Sequence, residues 1–180
     1  MSAAQTAIPE RIARRFAWAA RARLYDGNRV RLLATAQSYF PQLLAEIDRA
    51  RSSVHLETYI FRDDGIGRRV VESLSAAAAR GVQVRVLIDG FGGGDHARRL
   101  VGQLAERAVQ VRIFRPERWW RLQRRLFRRL HRKIAVVDDR IAFVGGINIE
   151  DDPARDGDSG DPIGPRFDFA VMCEGPLVAA

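Results

Sequence analysis

Two apolar periods take turns along this chain, and that alternation restricts the fold more than any other feature. "VRLLA" (30–34), "SVHLETYIF" (53–61), "VQVRVLID" (82–89) and "VQVRIF" (109–114) are short runs rich in β-branched and aromatic residues, the composition of strands. Between them the apolar residues fall three and four apart. Tyr39, Leu43, Leu44, Ile47 and Ala50 mark one helix, Ile66, Val70, Leu74 and Ala77 a second, Leu100, Val101 and Leu104 a third. The second has Asp63 or Asp64 to cap its start and Gly81 to stop it. The pattern then predicts a basic helix over 117–130, the strands "HRKIAVVD" and "RIAFVGG" split by a tight turn at 138–140, and a last strand, "FDFAVMC" (167–173). Strands and helices alternating at this spacing predict an α/β sandwich on a mostly parallel sheet.

The length of 180 residues suits one domain with a sizeable core. The single cysteine, Cys173, excludes an intrachain disulfide and a cysteine-based metal site, and fits a reducing compartment. No apolar run approaches the roughly 18 residues of a membrane span. Arginines interrupt the N-terminal stretch "RIARRFAWAARARLY" too often for a secretory leader, and residues 1–25 are expected to form a peripheral basic extension. The chain is therefore expected in the cytoplasm or on the cytoplasmic face of the cell membrane.

The net charge of +8 is concentrated. Residues 112–133 hold nine arginines and Lys133 against Glu117 alone, a local +9 that leaves −1 for the rest of the chain. Polyanions, phospholipid head groups or nucleic acid, are the natural partners of such a segment.

Lys133 is the only lysine among 30 basic residues, and it stands two positions after His131. Residues two apart on a strand share a face, so His131 and Lys133 point the same way, above Ala135 and Val137. Asp138 has the opposite parity, which favours a structural role for it. The next strand runs into "VGGIN", where Gly145 and Gly146 allow backbone to approach a ligand and Asn148 can donate hydrogen bonds. By itself a His-x-Lys is a very weak signal, and an ordinary hairpin with a surface histidine and lysine is the default reading of it.

The full spacing is far more specific. His131-x-Lys133, four residues to Asp138, then six to Gly145-Gly146-x-Asn148, resembles the HKD signature of the phospholipase D superfamily. The segments "HLETYIFRDDGIG", "VRVLIDGFG", "HRKIAVVDDRIAFVGGINI" and "FDFAVMCEGP" resemble its bacterial cardiolipin synthase branch, over roughly residues 25–176. Ala108 departs from that pattern, standing where the family usually has glycine, and loop 151–165 lacks the family's usual aromatic residue.

The resemblance implies a phospholipase D-like α/β/α sandwich over 26–180 that forms one half of a pseudo-twofold pair. It implies that His131 attacks a phosphodiester and forms a covalent phosphohistidine, without cofactor or metal. The residue types suit that chemistry, because a free imidazole with a pKa near ~6.5 is largely neutral at pH 7 and can act as a nucleophile. Lys133 and Asn148 would stabilise charge growing on the phosphoryl oxygens. Asp138 completes the motif. Asp168 matches the family's acidic residue that holds the second ring nitrogen, and an ordinary exposed strand residue is the competing reading. Glu57 matches a family position near the site, or is simply a polar strand residue.

In the basic segment, Leu122, Leu126 and Leu130 join Trp119 on one face, with Trp120 and Phe127 beside them. Arg121, Arg124, Arg125 and Arg128 lie on the other faces, as in an interfacial membrane helix. Packing on the sheet and binding of nucleic acid are the rivals, with the paired tryptophans favouring a membrane surface and an anionic phospholipid substrate.

The route needs a second group to protonate the leaving alcohol. The resemblance implies the histidine of a second His-x-Lys, which a chain with one lysine cannot supply. We expect the first half of a two-motif phosphatidyltransferase. The alternatives are a single-motif homodimer with phosphodiesterase or nuclease activity, and a catalytically silent lipid-binding module.

Overall fold

The structure is a computed structural model that describes residues 23, 25–92, 94–116, 129–151 and 166–180. Seven strands form one sheet: β1 (Arg29–Ala34), β2 (Ser53–Thr58), β3 (Gln83–Asp89), β4 (Gln110–Phe114), β5 (Ile134–Val137), β6 (Ile141–Gly145) and β7 (Phe169–Glu174). Among the described residues three helices alternate with them, α1 (Thr35–Arg49), α2 (Gly65–Ala79) and α3 (Gly94–Ala105). Asp64 caps α2 by accepting the Gly67 N–H, and Gly81 turns the chain after it at φ +88°.

The strand order is β1-β7-β6-β5-β2-β3-β4. Only β2/β3 and β3/β4 pair in parallel; the other four pairings are antiparallel. This corrects the mostly parallel sheet expected from the alternation. Helical crossovers return β3 and β4 alongside β2, but the three-residue turn between β5 and β6, residues 138–140, forces a reversal. That turn places Asp138 and Asp139 at φ +54° and +49°, and Arg140 N–H donates to Val137 O at 3.0 Å.

The helices touch one another in series, α1 with α2 and α2 with α3, so they form one layer on one face. Leu43, Ile47, Val70, Leu74, Leu100 and Leu104 pack there against Val54, Val86, Ile88, Ala135 and Val137. Among the described residues no second helical layer accompanies it. The opposite face is open, and one register row crosses all seven strands on it: Leu32, Val171, Val144, Ile134, Glu57, Leu87 and Arg112. The row is apolar from β1 to β5 and then carries Glu57, Leu87 and Arg112, with Leu32 63% and Val144 43% exposed.

Several boundaries shift. The strand expected from His131 starts only at Ile134, and the one expected from Phe167 starts at Phe169. Of the basic helix expected over 117–130, residues 117–128 lie outside the described residues, and Arg129 and Leu130 are not helical. Most of the N-terminal extension and of loop 151–165 also lies outside.

Candidate functional site

The functional side chains gather at one end of the sheet, where β2 and β6 finish and β5 and β7 begin. Backbone bonds zip this end together. Ile149 N–H donates to Ile60 O (3.1 Å), Arg62 N–H to Ile149 O (2.9 Å), and Gly145 N–H to Lys133 O (3.1 Å). Phe61 and Ile149, both fully buried, make a parallel bridge at this end.

His131 and Lys133 meet as the motif requires. Lys133 Nζ is 3.2 Å from His131 Nε2 and 3.3 Å from its carbonyl oxygen. An ammonium has only donors, so Nε2 must accept, and the neutral ring then carries its proton on Nδ1. Lys133 is buried, with 6% of its surface exposed, while His131 is exposed. Burial pushes the Lys133 ammonium below the ordinary lysine value, and the Asp168 and Glu150 carboxylates pull it back up.

Asn148 is oriented by its oxygen, which accepts the Ile60 N–H at 3.3 Å and leaves its NH2 group to face elsewhere. Asp168 precedes β7, and its carboxylate accepts its neighbour's Phe169 N–H at 2.7 Å. It lines a small pocket together with Asn148 and Glu150. Gly145 and Gly146 are demanded from within the fold. A Cβ on Gly145 would strike the backbone of Phe169 and Ala170, and one on Gly146 would strike the Asp168 carboxylate. Close packing against Phe169, Ala170 and Asp168 requires glycine at both positions.

Two expected catalytic residues stand apart. Asp138 lies at the far end of β5. Its carboxylate accepts the N–H groups of Arg51, Ser52 and Ser53 at 2.8–3.2 Å and the Ser52 hydroxyl at 2.8 Å, tying the loop before β2 to the β5–β6 turn. Desolvation raises its pKa, but those hydrogen bonds outweigh it and hold the group at about 2. These contacts tie it into the turn at the end of β5 away from His131. Glu57 pairs with Ile134 in the ladder, on the open face away from buried Ala135. Its buried Oε2 lies 2.9 Å from Arg132 Nε, too bent for a hydrogen bond, so an ion pair across β2 and β5 is its contact. A hollow of about 640 Å3 lined by His55, Glu57, Arg85 and Arg112 lies on that same face, across the middle of β2–β4.

The structure adds three residues that the motif does not contain. The Tyr59 ring lies 4.9 Å from the His131 ring, tilted by 57°, and Lys133 Nζ sits 5.3 Å from its centre. Glu150 is buried and paired with Arg62 (3.0 Å) and Arg166. Asp89 is fully buried at the end of β3 and binds the segment that leads into His131. Strand alternation after "GGIN" would have put Glu150 beside Asn148; Tyr59 and Asp89 carried no such signal. The expected membrane residues Trp119, Trp120, Arg121, Arg124, Arg125 and Arg128 lie outside the described residues. Among those described, no group of three or more His, Cys, Asp or Glu side chains is gathered to hold a metal ion.

A histidine and a buried lysine joined at one end of a mixed sheet, beside a Gly-Gly-x-Asn turn, define a phospholipase D-like domain. The fold comparison agrees. The phospholipase D family member Nuc from Salmonella typhimurium superposes with a TM-score of 0.61 at 21% identity, over 85% of this chain and 88% of that one. NucT from Helicobacter pylori superposes with 0.63 at 16%, over 85% and 89%. Residues 43–156 match the family described as "Cardiolipin synthase, PLD-like domain", and the chain belongs to that family. It is 40% identical to cardiolipin synthase B of Salmonella typhi over 157 residues, 86% of this chain and 37% of that protein. It is 38% identical to the Escherichia coli K12 protein of that name, over 85% and 36%. The chain thus spans little more than a third of these relatives.

Proposed function

We propose that these residues form the first catalytic half of a cardiolipin synthase-type phosphatidyltransferase. The observation that carries the reading is the buried Lys133 ammonium held 3.2 Å from His131 Nε2, in a chain whose relatives are cardiolipin synthases. Nε2 attacks the phosphorus of a phospholipid phosphodiester. The bond from phosphorus to the head-group oxygen breaks, and the departing alkoxide takes a proton from a general acid. An acceptor hydroxyl then attacks the phosphohistidine, the P–N bond breaks, and the hydroxyl proton passes to that same acid–base group. Lys133 and Asn148 stabilise the phosphoryl oxygens, and Asp168 holds Nδ1.

The acid–base group is assigned to a second His-x-Lys outside these 180 residues, on the rest of the polypeptide or on a second copy. Residues 1–25 are read as a basic extension to the catalytic domain. The arginines and tryptophans of 119–128 are assigned to an anionic membrane surface, which would place the protein peripherally on the cytoplasmic face.

The test is to incubate the chain, with a second His-x-Lys half supplied, with phospholipid labelled at phosphorus and to look for label on His131. Acid-labile, alkali-stable label that disappears in His131→Ala is the expected result. No label, together with cleavage of single-stranded DNA, would move the reading to a nuclease. Neither activity, alone or with a second half supplied, would leave a silent lipid-binding module.

A further inference from the structure

Asp89 occupies a position from which two separate segments of the site are held at once. Its side chain is fully buried at the end of β3. Oδ1 accepts the N–H groups of Phe91 (2.8 Å) and Gly92 (3.2 Å) in the turn after that strand. Oδ2 accepts the N–H of Leu130 at 2.7 Å, across 41 residues of sequence. Leu130 immediately precedes His131, and the β5 ladder begins only at Ile134. The backbone entering the histidine is therefore anchored here by a side chain rather than by a neighbouring strand.

The other oxygen leads to the same imidazole. Gly92 lies against Tyr59 so closely that a Cβ there would come within 2.8 Å of two ring carbons. The Tyr59 ring in turn lies 4.9 Å from the His131 ring. Fixing Gly92 fixes the wall behind Tyr59, and Tyr59 limits the tilt of the imidazole.

We propose that Asp89 is a positioning residue for His131, setting its backbone through Leu130 and its ring plane through Gly92 and Tyr59. This rests on the assignment of His131 as nucleophile. In-line attack needs the reacting nitrogen aimed along the scissile bond, and misplacement by about 1 Å is enough to cost ~100-fold in rate.

The test is Asp89→Asn, which keeps the shape but turns a donor toward one of the two segments. Two readouts are taken on protein whose circular dichroism is native. The first is the ring-to-ring nuclear Overhauser effect between Tyr59 and His131. The second is hydrolysis of bis(p-nitrophenyl) phosphate by the assembled enzyme. We expect the Overhauser effect to weaken, and kcat to fall ~100-fold with KM within about twofold. A folded variant with an unchanged Overhauser effect and unchanged kcat overturns the proposal, because a purely stabilising aspartate would lower only the melting temperature. If the wild type itself turns nothing over, the assignment of function fails while the Overhauser effect still decides on Asp89. If the variant does not fold, amide exchange in the wild type decides. Leu130 exchanging as slowly as Phe91 supports the clamp, and Leu130 exchanging like an exposed amide overturns it.

Discussion

Lys133 Nζ stands 3.2 Å from His131 Nε2, and because the ammonium can only donate, this contact selects the ring tautomer. The lone pair it selects is on the nitrogen nearest the cation that would stabilise a phosphoryl group. Nitrogen-15 spectra of labelled histidine should place the proton of neutral His131 on Nδ1. Lys133→Met should shift the population toward the Nε2–H form. A wild-type spectrum already dominated by Nε2–H would contradict the geometry.

Lys133 can be followed alone, since labelled lysine gives one side-chain signal in this chain. Burial lowers its pKa, and Asp168 and Glu150 oppose that shift. Its titration by NMR should therefore lie below that of free lysine. Glu150→Gln removes one of the two opposing carboxylates, so the midpoint should fall further. A midpoint that rises in this variant would mean that relaxation of Arg62 and Arg166, no longer paired with a carboxylate, dominates over the lost attraction.

Asp138 should matter to stability and not to the reacting groups. Its pKa drops from 3.8 to about 2 on folding. A depressed carboxylate contributes stability that is complete above the unfolded value and is lost as the pH falls through the folded one. The protein should thus lose this contribution between roughly pH 4 and pH 2. Asp138→Ala leaves the N–H groups of Ser52 and Ser53 to water and should cost about 1–2 kcal/mol at pH 7, read by urea denaturation. The difference from wild type should vanish near pH 2, while the His131–Tyr59 Overhauser effect should be retained throughout the folded range.

The elements of the fold were legible because each is written locally. Period-two and period-3.6 patterns located seven strands and three helices, with Asp64 and Gly81 at the ends of α2. Strand direction is not local. Nothing in "HRKIAVVD" or "RIAFVGG" says that β5 lies beside β2 and runs against it, so the parallel arrangement was over-extended. The same limit applies to side chains. His131, Lys133 and Asn148 could be found because the motif spans 18 residues of one hairpin. Glu57 was placed near the site by the family resemblance alone; its contacts with Ile134 and Arg132 follow from a register that no single strand reveals. Tyr59 and Asp89 reach the site over separations of 72 and 41 residues, through packing and a carboxylate bond that leave no periodic trace.

The departure at Ala108 can be tested directly. Ala108 follows α3 at φ +60°, a conformation where the Cβ of an L-residue crowds the backbone at a cost of roughly 1–2 kcal/mol. Glycine accepts that conformation freely but loses more entropy on folding, which returns about 0.4–1 kcal/mol. Ala108→Gly should therefore stabilise the chain by about 0.5–1 kcal/mol, measured as a higher urea midpoint at unchanged slope. Gly81, at φ +88° with nothing within 4 Å of the point a Cβ would occupy, provides the reverse case. Gly81→Ala meets no neighbour, so its expected loss of about 1 kcal/mol comes from the backbone alone. If Ala108→Gly lowers the midpoint while Gly81→Ala also lowers it, the strain at Ala108 is relieved by contacts of its methyl group. The turn would then depend on packing rather than on backbone freedom.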